Sequence, residues 1–383
     1  MALDGLLKSI KSKLGDKNED IILDYKRKLH TISTGSLLLD NILGGGLLVE
    51  KRITEVFGLE SSGKTTICLQ SVATALKQGK DVVFFDFEQT FDTNYAQALG
   101  VDIKSPNLAV FQPASLEEGL TILREMEKQV KDGVVIVIDS VAAAKPQELL
   151  SKAGEQQKIG LHAQRIGELC GYLQSEWCGK RKAYILLTNQ VRRVPGSGSL
   201  YQAKAFKSAG VGFGTGDETF TTTGGQQLRF LASIRLSLDY AGKIEDGSYA
   251  EGNLQRTGNF TKAYVVKNKL CPPFQTAKLA IIFGEGTDDS FAIIDTLKEH
   301  GYISNAGASY TYLDSDKNEV GAGLSFKARG KDAFFAELKK PEYREDMKKT
   351  FTHLMATAEA VEIATADTEA EITELDFDTL DGE

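Results

Sequence analysis

Cysteine is scarce. Cys68, Cys170, Cys178 and Cys271 are the whole complement of this 383-residue chain, and no two of them form a C-x-x-C pair. That spacing speaks against a zinc site and for reduced thiols in a cytoplasmic setting. His30, His162, His300 and His353 make no metal-ligand pattern either. Long apolar runs are also missing. Stretches such as VVIVID, Val134 to Asp139, fall well short of the ~20 residues that span a bilayer, so no membrane segment is expected. The N-terminal MALDGLLKSIKSKLG has no apolar h-region and no small-residue cleavage site, which predicts no secretory signal. Internal repeats are absent.

Positive charge is in deficit as well. The net charge is −8, which argues mildly against nucleic acid. Its distribution weakens that argument. Between Ala356 and Glu383 there are ten acids and no Lys or Arg. Composition predicts a disordered acidic tail there, either a solubility segment or a polyanion competing with DNA for basic sites. Setting those ten charges aside leaves the rest of the chain near +2, enough for a basic face.

What is present reads as an α/β fold. Leu6, Leu7, Ile10 and Leu14 are spaced for a short amphipathic N-terminal helix, followed by a charged stretch from Gly15 to Lys28. RITEVFG (Arg52 to Gly58) reads as a strand and GKTTICLQSVATALKQG as a helix stopped by Gly79. DVVFFDFE (Asp81 to Glu88), VVIVIDS and AYILLTNQ are continuous apolar runs, as in parallel strands buried on both faces. SLEEGLTILREMEKQVKDG is a helix with Ser115 to Glu118 as its capping box. Helices between strands imply βαβ units and a mostly parallel sheet. From Gln227 the pattern changes: Leu228, Phe230, Ala232, Ile234, Leu236 and Leu238 alternate as one strand face. KAYVVKNK and KLAIIFGEG follow as further, partly antiparallel strands. After Gly286 a smaller α/β domain fits: a helix over SFAIIDTLKEHG, short strands around Tyr310 to Leu313, and helices from Gly330 to Met355.

The chemistry starts at Gly58. GLESSGKT, Gly58 to Thr65, matches G-x-x-x-x-G-K-[ST] without a gap, between a strand and a helix. Such a loop aims backbone N–H groups and a helix N-terminus at phosphates. Gly58 and Gly63 permit the path, with Glu60, Ser61 and Ser62 between them. Lys64 reaches the β/γ-phosphates, and the Thr65 hydroxyl binds Mg²⁺. A nucleotide and Mg²⁺ are therefore the expected ligands. Asp139 ends a strand, placed as a Walker-B carboxylate for the metal. Glu88 and Asp86 both lie at another strand end, and either suits a base for the attacking water. Gln190 ends a third, where its amide can sense a γ-phosphate.

In this order the segments resemble the bacterial RecA recombinase family. TISTGSLLLD, GLESSGKTT, FEQTFDTNYAQALGVD, IDSVAA, TTTGGQQLRFLASIRL and VVKNKLCPPF carry the resemblance from Thr31 to about Gly286, with weaker similarity on to Met355. It implies a RecA-like P-loop NTPase core with a mostly parallel sheet, over 31–286. The rest divides into an N-terminal polymerisation segment over 1–30, a small C-terminal domain over 287–355 and the acidic tail over 356–383. It implies a cytoplasmic, ATP-dependent filament on single-stranded DNA that exchanges strands with a homologous duplex. It makes Glu88 the catalytic carboxylate, with Lys64, Thr65 and Thr66 on phosphate and Mg²⁺, and Gln190 the γ-phosphate switch. Asp92, Tyr95 and Phe283 would flank the adenine, Phe283 in place of the family's Tyr. Lys267 and Lys269 would reach a neighbouring subunit's ATP. A ring helicase on the same core is opposed by the TTTGG and VKNK segments, and a non-hydrolysing scaffold by the intact Glu88, Asp139 and Lys64.

Two loops are expected to face DNA. The first runs from Lys152 to Arg165, with Gly160 and Arg165 on the family's pattern. The second runs from Val191 to Gly225 and carries Arg192, Arg193, Lys204 and Lys207. Basic groups contact phosphates whatever the base sequence, and Gly-rich backbone approaches DNA closely. Hydroxyls and N–H groups of Thr221, Thr222, Thr223, Gly224 and Gly225 are candidates for phosphate oxygens. The chain departs from the family in a longer second loop, with an insertion within about 195–220, and in Gln89 and Tyr172.

Overall fold

The computed structural model describes residues 29–151, 160–193, 220–246, 255–338 and 340–355. The expected N-terminal helix, the start of the first loop, the interior of the second and the acidic tail lie outside the described residues.

The chain enters through a short ladder, β1 (Thr31–Ile32) against β2 (Leu48–Val49), with α1 (Leu37–Leu43) between them. Ser36 caps α1 by accepting from the Leu39 N–H. Next come β3 (Arg52–Gly58), α2 (Lys64–Lys77), β4 (Val82–Asp86), α3 (Thr93–Ala98), β5 (Leu108–Phe111), α4 (Leu116–Met126) and β6 (Val135–Asp139). They lead to α5 (Gln147–Ser151), α6 (Leu161–Tyr172), which runs on as a π-helical stretch over Leu173–Lys180, and β7 (Tyr184–Arg193). Past the second loop lie β8 (Phe220–Thr222), α7 (Gly225–Leu231), β9 (Ile234–Asp246), β10 (Gln255–Asn268), β11 (Thr276–Ile282) and β12 (Gly286–Asp288). The chain ends in α8 (Ser290–Glu299), β13 (Ile303–Ala306), β14 (Ser309–Tyr312), β15 (Phe326–Arg329), α9 (Lys331–Leu338) and a last helix, α10, over 341–355.

One large sheet organises the fold, in the order β12-β11-β10-β9-β3-β7-β6-β4-β5. From β9 to β5 neighbours run parallel; β10, β11 and β12 extend it antiparallel. The continuous apolar runs serve two cores. Val135 and Val137 of β6 pack with Ile67 and Val72 of α2 on one face. Ile136 and Ile138 pack with Leu123 of α4 and Ile166 and Leu169 of α6 on the other. A side chain so enclosed stabilises the fold by about 1.5–3 kcal/mol. Because both faces are covered, the strands cannot alternate polar with apolar.

Two local readings need correction. The alternation from Leu228 to Leu238 is not one strand. Leu228 lies on α7, and Phe230 points outward, 71% exposed; the strand starts only at Ile234. Gly224 and Gly225, at φ +98° and +75°, turn the chain into α7 before any strand can form. Ser115 does accept from the Glu118 N–H, but the Glu118 carboxylate returns to the Ala114 N–H at 2.7 Å, not to Ser115.

The C-terminal elements build a separate small sheet, β13-β14-β15, around Tyr312, Phe334 and Phe351. It is fastened to the start of α1. Ser36 Oγ and the Leu37 N–H each donate to Asp289 at 2.6 Å, and burial raises that carboxyl above its ordinary pKa. No described helix is long and apolar enough to cross a membrane.

Candidate active site

Parallel strands point their carboxyl ends the same way, so one sheet edge gathers the phosphate loop, Glu88, Asp139 and Gln190, whereas Lys267 and Lys269 lie at the end of antiparallel β10, beside the start of β9. Gly58 ends β3 opposite Gln190 of β7, and Asp86 of β4 stands opposite Asp139 of β6. At Gly58 only hydrogen fits, since an added Cβ would meet the Leu238 carbonyl and sit 2.7 Å from the Ser62 hydroxyl. Gly63, at φ +92°, opens α2 with no side-chain cap. The first N–H groups of this 14-residue helix are left for an anion. Glu60 and Ser61 are exposed at the loop's tip. The Ser62 hydroxyl is buried with no hydrogen-bond partner among the described residues. An unused polar atom inside a cradle of N–H groups fits a phosphate. Lys64 bends over the same loop, its Nζ donating to the Gly58 and Leu59 carbonyls at 3.2 and 2.7 Å. Burial lowers its pKa, opposed by Asp139, Glu88 and Glu60.

The carboxylates divide by role. Asp139 is buried. One oxygen accepts from Thr188 Oγ1 at 2.5 Å and the other from Thr65 Oγ1 at 3.2 Å. Burial raises its pKa, and the two hydroxyls pull it back. A hard cation beside Thr65 would meet oxygen donors there. Asp86 is also buried, but it accepts from the Phe91 N–H and from Gln112 Nε2, both at 2.9 Å. It holds its own turn. Glu88 is exposed and accepts from Ser140 Oγ at 2.5 Å and from Gln190 Nε2 at 3.2 Å. Of the two strand-end acids, Glu88 is the one that faces out toward the loop edge.

Thr66 follows in the first turn of α2. It shares a 2.6 Å hydrogen bond with the Tyr95 hydroxyl. Asp92 caps α3, accepting from the Asn94 and Tyr95 N–H groups. Phe283 follows β11, half exposed, with the Arg256 guanidinium 6.0 Å over its ring. Lys269 is exposed. Lys267 instead folds onto its own chain, Nζ donating to the Arg229 and Phe230 carbonyls at the end of α7. Burial first, then Lys269 and Arg235, lower its pKa to about 8.

The two expected DNA loops spring from neighbouring helices. Gly160, at φ +90°, opens α6, so Arg165 lies on a helix, exposed and paired with Glu168. Gly225 packs against Ala163 of the same helix, closely enough that a Cβ would sit 3.1 Å from the Ala163 Cβ. The second loop is not irregular throughout. β7 runs on to Arg193 and pairs with β8, Arg192 opposite Thr221 and Val191 opposite Thr222. Arg192 is exposed; the Arg193 side chain lies outside the described residues. Thr221 Oγ1 accepts from Arg229, and Thr222, 4% exposed, accepts from Arg235. Those hydroxyls face into the protein, while Thr223 Oγ1 is buried without a partner among the described residues.

Four residues at this edge were not foreseen: Ser140, Glu55, Asn189 and Arg235. Glu55 and Arg235 had a signal. Each is the lone charge in an otherwise uncharged, mostly apolar stretch, and their signs are opposite.

A family model described as the RecA N-terminal domain matches residues 1–288. Among curated proteins, Protein RecA of Chloroherpeton thalassium is 40% identical over 289 residues, which is 75% of this chain and 72% of that protein. Protein RecA of Streptomyces ambofaciens is 37% identical over 325 residues, 84% of this chain and 79% of the relative. Protein RecA of Chlorobaculum tepidum is 39% identical over 286 residues, 74% of each.

Proposed function

The chain belongs to the RecA family and is a recombinase, and from that premise we propose how its residues carry the activity. It assembles as a filament on single-stranded DNA, pairs that strand with a homologous duplex, and hydrolyses ATP when DNA is bound. The observation that carries this reading is the contact of Glu88 with Gln190 at the edge where the phosphate loop ends.

Gly58 to Thr66 hold the triphosphate, with Lys64 turning from the loop carbonyls to the β/γ-phosphates. Thr65 and Asp139 would hold Mg²⁺, which would supply positive charge against the phosphates. Glu88 takes a proton from the attacking water, and Ser140 holds its carboxylate in place. Gln190 shares its amide between Glu88 and the γ-phosphate, so loss of that phosphate frees it to move the strand that leads into the second loop. Tyr95, Asp92 and Phe283 bracket the base. Lys269, and Lys267 once released from α7, reach the ATP of the next subunit. Arg165 and Arg192 meet DNA phosphates, and the backbone of Thr221 to Gly225 lies alongside. We assign 1–30 to polymerisation, 31–286 to the ATPase core, 287–355 to a small C-terminal domain and 356–383 to an acidic tail, in a cytoplasmic protein.

The test is ATP hydrolysis with and without single-stranded DNA, across protein concentration at fixed salt. Stimulation by DNA that rises cooperatively with concentration is expected. Hydrolysis indifferent to DNA would end this reading.

A further inference from the structure

Three buried polar side chains join the phosphate loop to the exit of the second loop. Glu55 lies on β3, three residues before Gly58, and is wholly buried. Directly across the ladder on β9 stands Arg235, whose Nε donates to Glu55 at 2.6 Å. Across the other ladder, Asn189 of β7 donates to the second Glu55 oxygen at 2.8 Å. From there the network reaches the loop. Asn189 Nδ2 also donates to the Thr223 carbonyl at 2.7 Å, and its Oδ1 accepts from the Gln190 N–H. Arg235 donates to Thr222 Oγ1 at 3.2 Å, its guanidinium 4.8 Å over the Phe57 ring.

Stability does not explain this arrangement. A buried ion pair is often no better than apolar residues of the same volume, because both charges lose water. What such a cluster supplies is geometry, since every member has partners in fixed directions. Its members sit on the three central strands whose ends hold the phosphate loop, Gln190 and the path out of α7. Thr223 is otherwise lightly held: its N–H meets the Gln190 carbonyl at 3.4 Å, and its hydroxyl has no partner among the described residues. Arg229 and Lys267 also feel the charges of Glu55 and Arg235. That places the last turn of α7 within reach of one buried carboxylate.

We infer that Glu55, Asn189 and Arg235 act as a positioning relay, tying the second-loop exit to the phosphate loop so that a nucleotide bound at one sets the DNA grip of the other. The inference rests on the function proposed above. Movement of Gln190 shifts Asn189 beside it, and Asn189 carries the shift to Thr223. Arg235 holds Thr222, so the exit moves as a unit with β7.

The test measures a coupling. Affinity of the full chain for a fluorescent oligothymidylate is read with and without a non-hydrolysable ATP analogue plus Mg²⁺, alongside affinity for the analogue and the melting temperature. In Asn189→Ala, analogue binding and nucleotide-free DNA binding should match wild type, while the analogue-induced gain in DNA affinity falls about tenfold, an ordinary size for coupling between sites. Asn189→Asp keeps the acceptor for Gln190 but loses both donors, and should behave the same. If Asn189→Ala does not fold, Arg235→Lys keeps the ion pair, drops the fork to Thr222, and should lose the gain too. Folded variants that keep the wild-type gain overturn the relay. So does equal loss of DNA affinity with and without the analogue, which a purely structural role would give. A wild type with no gain at all would instead remove the functional reading on which the relay rests.

Discussion

The phosphate loop and the exit of the second loop share one edge of one sheet, yet they are built in opposite ways. The phosphate loop is local. Nine consecutive residues, Gly58 to Thr66, supply its glycines, its lysine and its hydroxyls, and the helix behind them starts within the same stretch. The second-loop exit is held from afar. Thr222 and Thr223 are fixed by Arg235 and Asn189, and these converge on Glu55, which lies 134 and 180 positions from its two partners. A local site can be moved between proteins as a cassette; a distributed one responds to whatever displaces any of its strands. In the reading proposed above, the phosphate grip belongs to the first kind of site and its signalling to DNA to the second.

The largest expected effect separates the two regions at a single atom. Glu88→Gln keeps the shape that Ser140 and Gln190 contact but cannot take a proton. Turnover should fall by about 10²–10⁴, the usual contribution of a positioned base. ATP-dependent binding to single-stranded DNA should persist, since the loop exit is untouched. Phosphate release and DNA binding measured on one preparation decide it. Near-normal turnover would move the base elsewhere, and Asp86 is a poor successor because its carboxylate already holds Phe91 and Gln112.

That contrast also governs how much of the molecule was legible in its sequence. Gly58 and Lys64 announced themselves through the G-x-x-x-x-G-K-[ST] match, and Asp139 and Gln190 because each sits at the end of an apolar run, and parallel strands put such ends together. The residues alone left Glu88 and Asp86 open and the resemblance chose Glu88; the structure adds that Asp86 is buried in its own turn, holding Phe91 and Gln112. The strand reading across Leu228 to Ala232 failed for a local reason. Three apolar positions in alternation, running on into Ile234, suit a strand, but paired left-handed glycines start a helix just before them. The hairpin stem of Arg192 and Thr221 was hidden because the loop between its strands is long. Glu55, Asn189 and Arg235 were missed because no window of sequence holds them together.

Lys267 sharpens the comparison, because it touches the distributed region directly. With its pKa near 8, it is charged below that value and neutral above it. The unfolded chain keeps the proton to about 10.4. The folded state therefore binds fewer protons across this window, and stability rises with pH through it. The charge available to a neighbour's phosphates falls over the same range, with about one-tenth left a unit above the folded pKa. DNA-stimulated hydrolysis should decline between about pH 7.5 and pH 9. In Lys267→Arg the decline should vanish, since a guanidinium stays charged. The same pH profile in both proteins would mean that Lys267 stays on the α7 carbonyls and plays no part between subunits.

The smallest expected effect comes from a segment that belongs to neither region. Ending the chain before Thr357 removes ten acids and leaves the remainder near +2. If those acids compete with DNA for basic groups such as Arg165 and Arg192, the truncated chain should bind single-stranded DNA a few-fold more tightly at low salt. Exposed charges separated by more than a Debye length, about 10 Å at 0.1 M, are largely screened, so the difference should shrink as salt rises. The plot of binding against salt should also steepen, because basic groups freed from the tail release counterions from DNA when they bind. A solubility segment predicts parallel lines with no offset. An offset that does not change with salt would mean that the tail blocks DNA by bulk, since only charge is screened by ions.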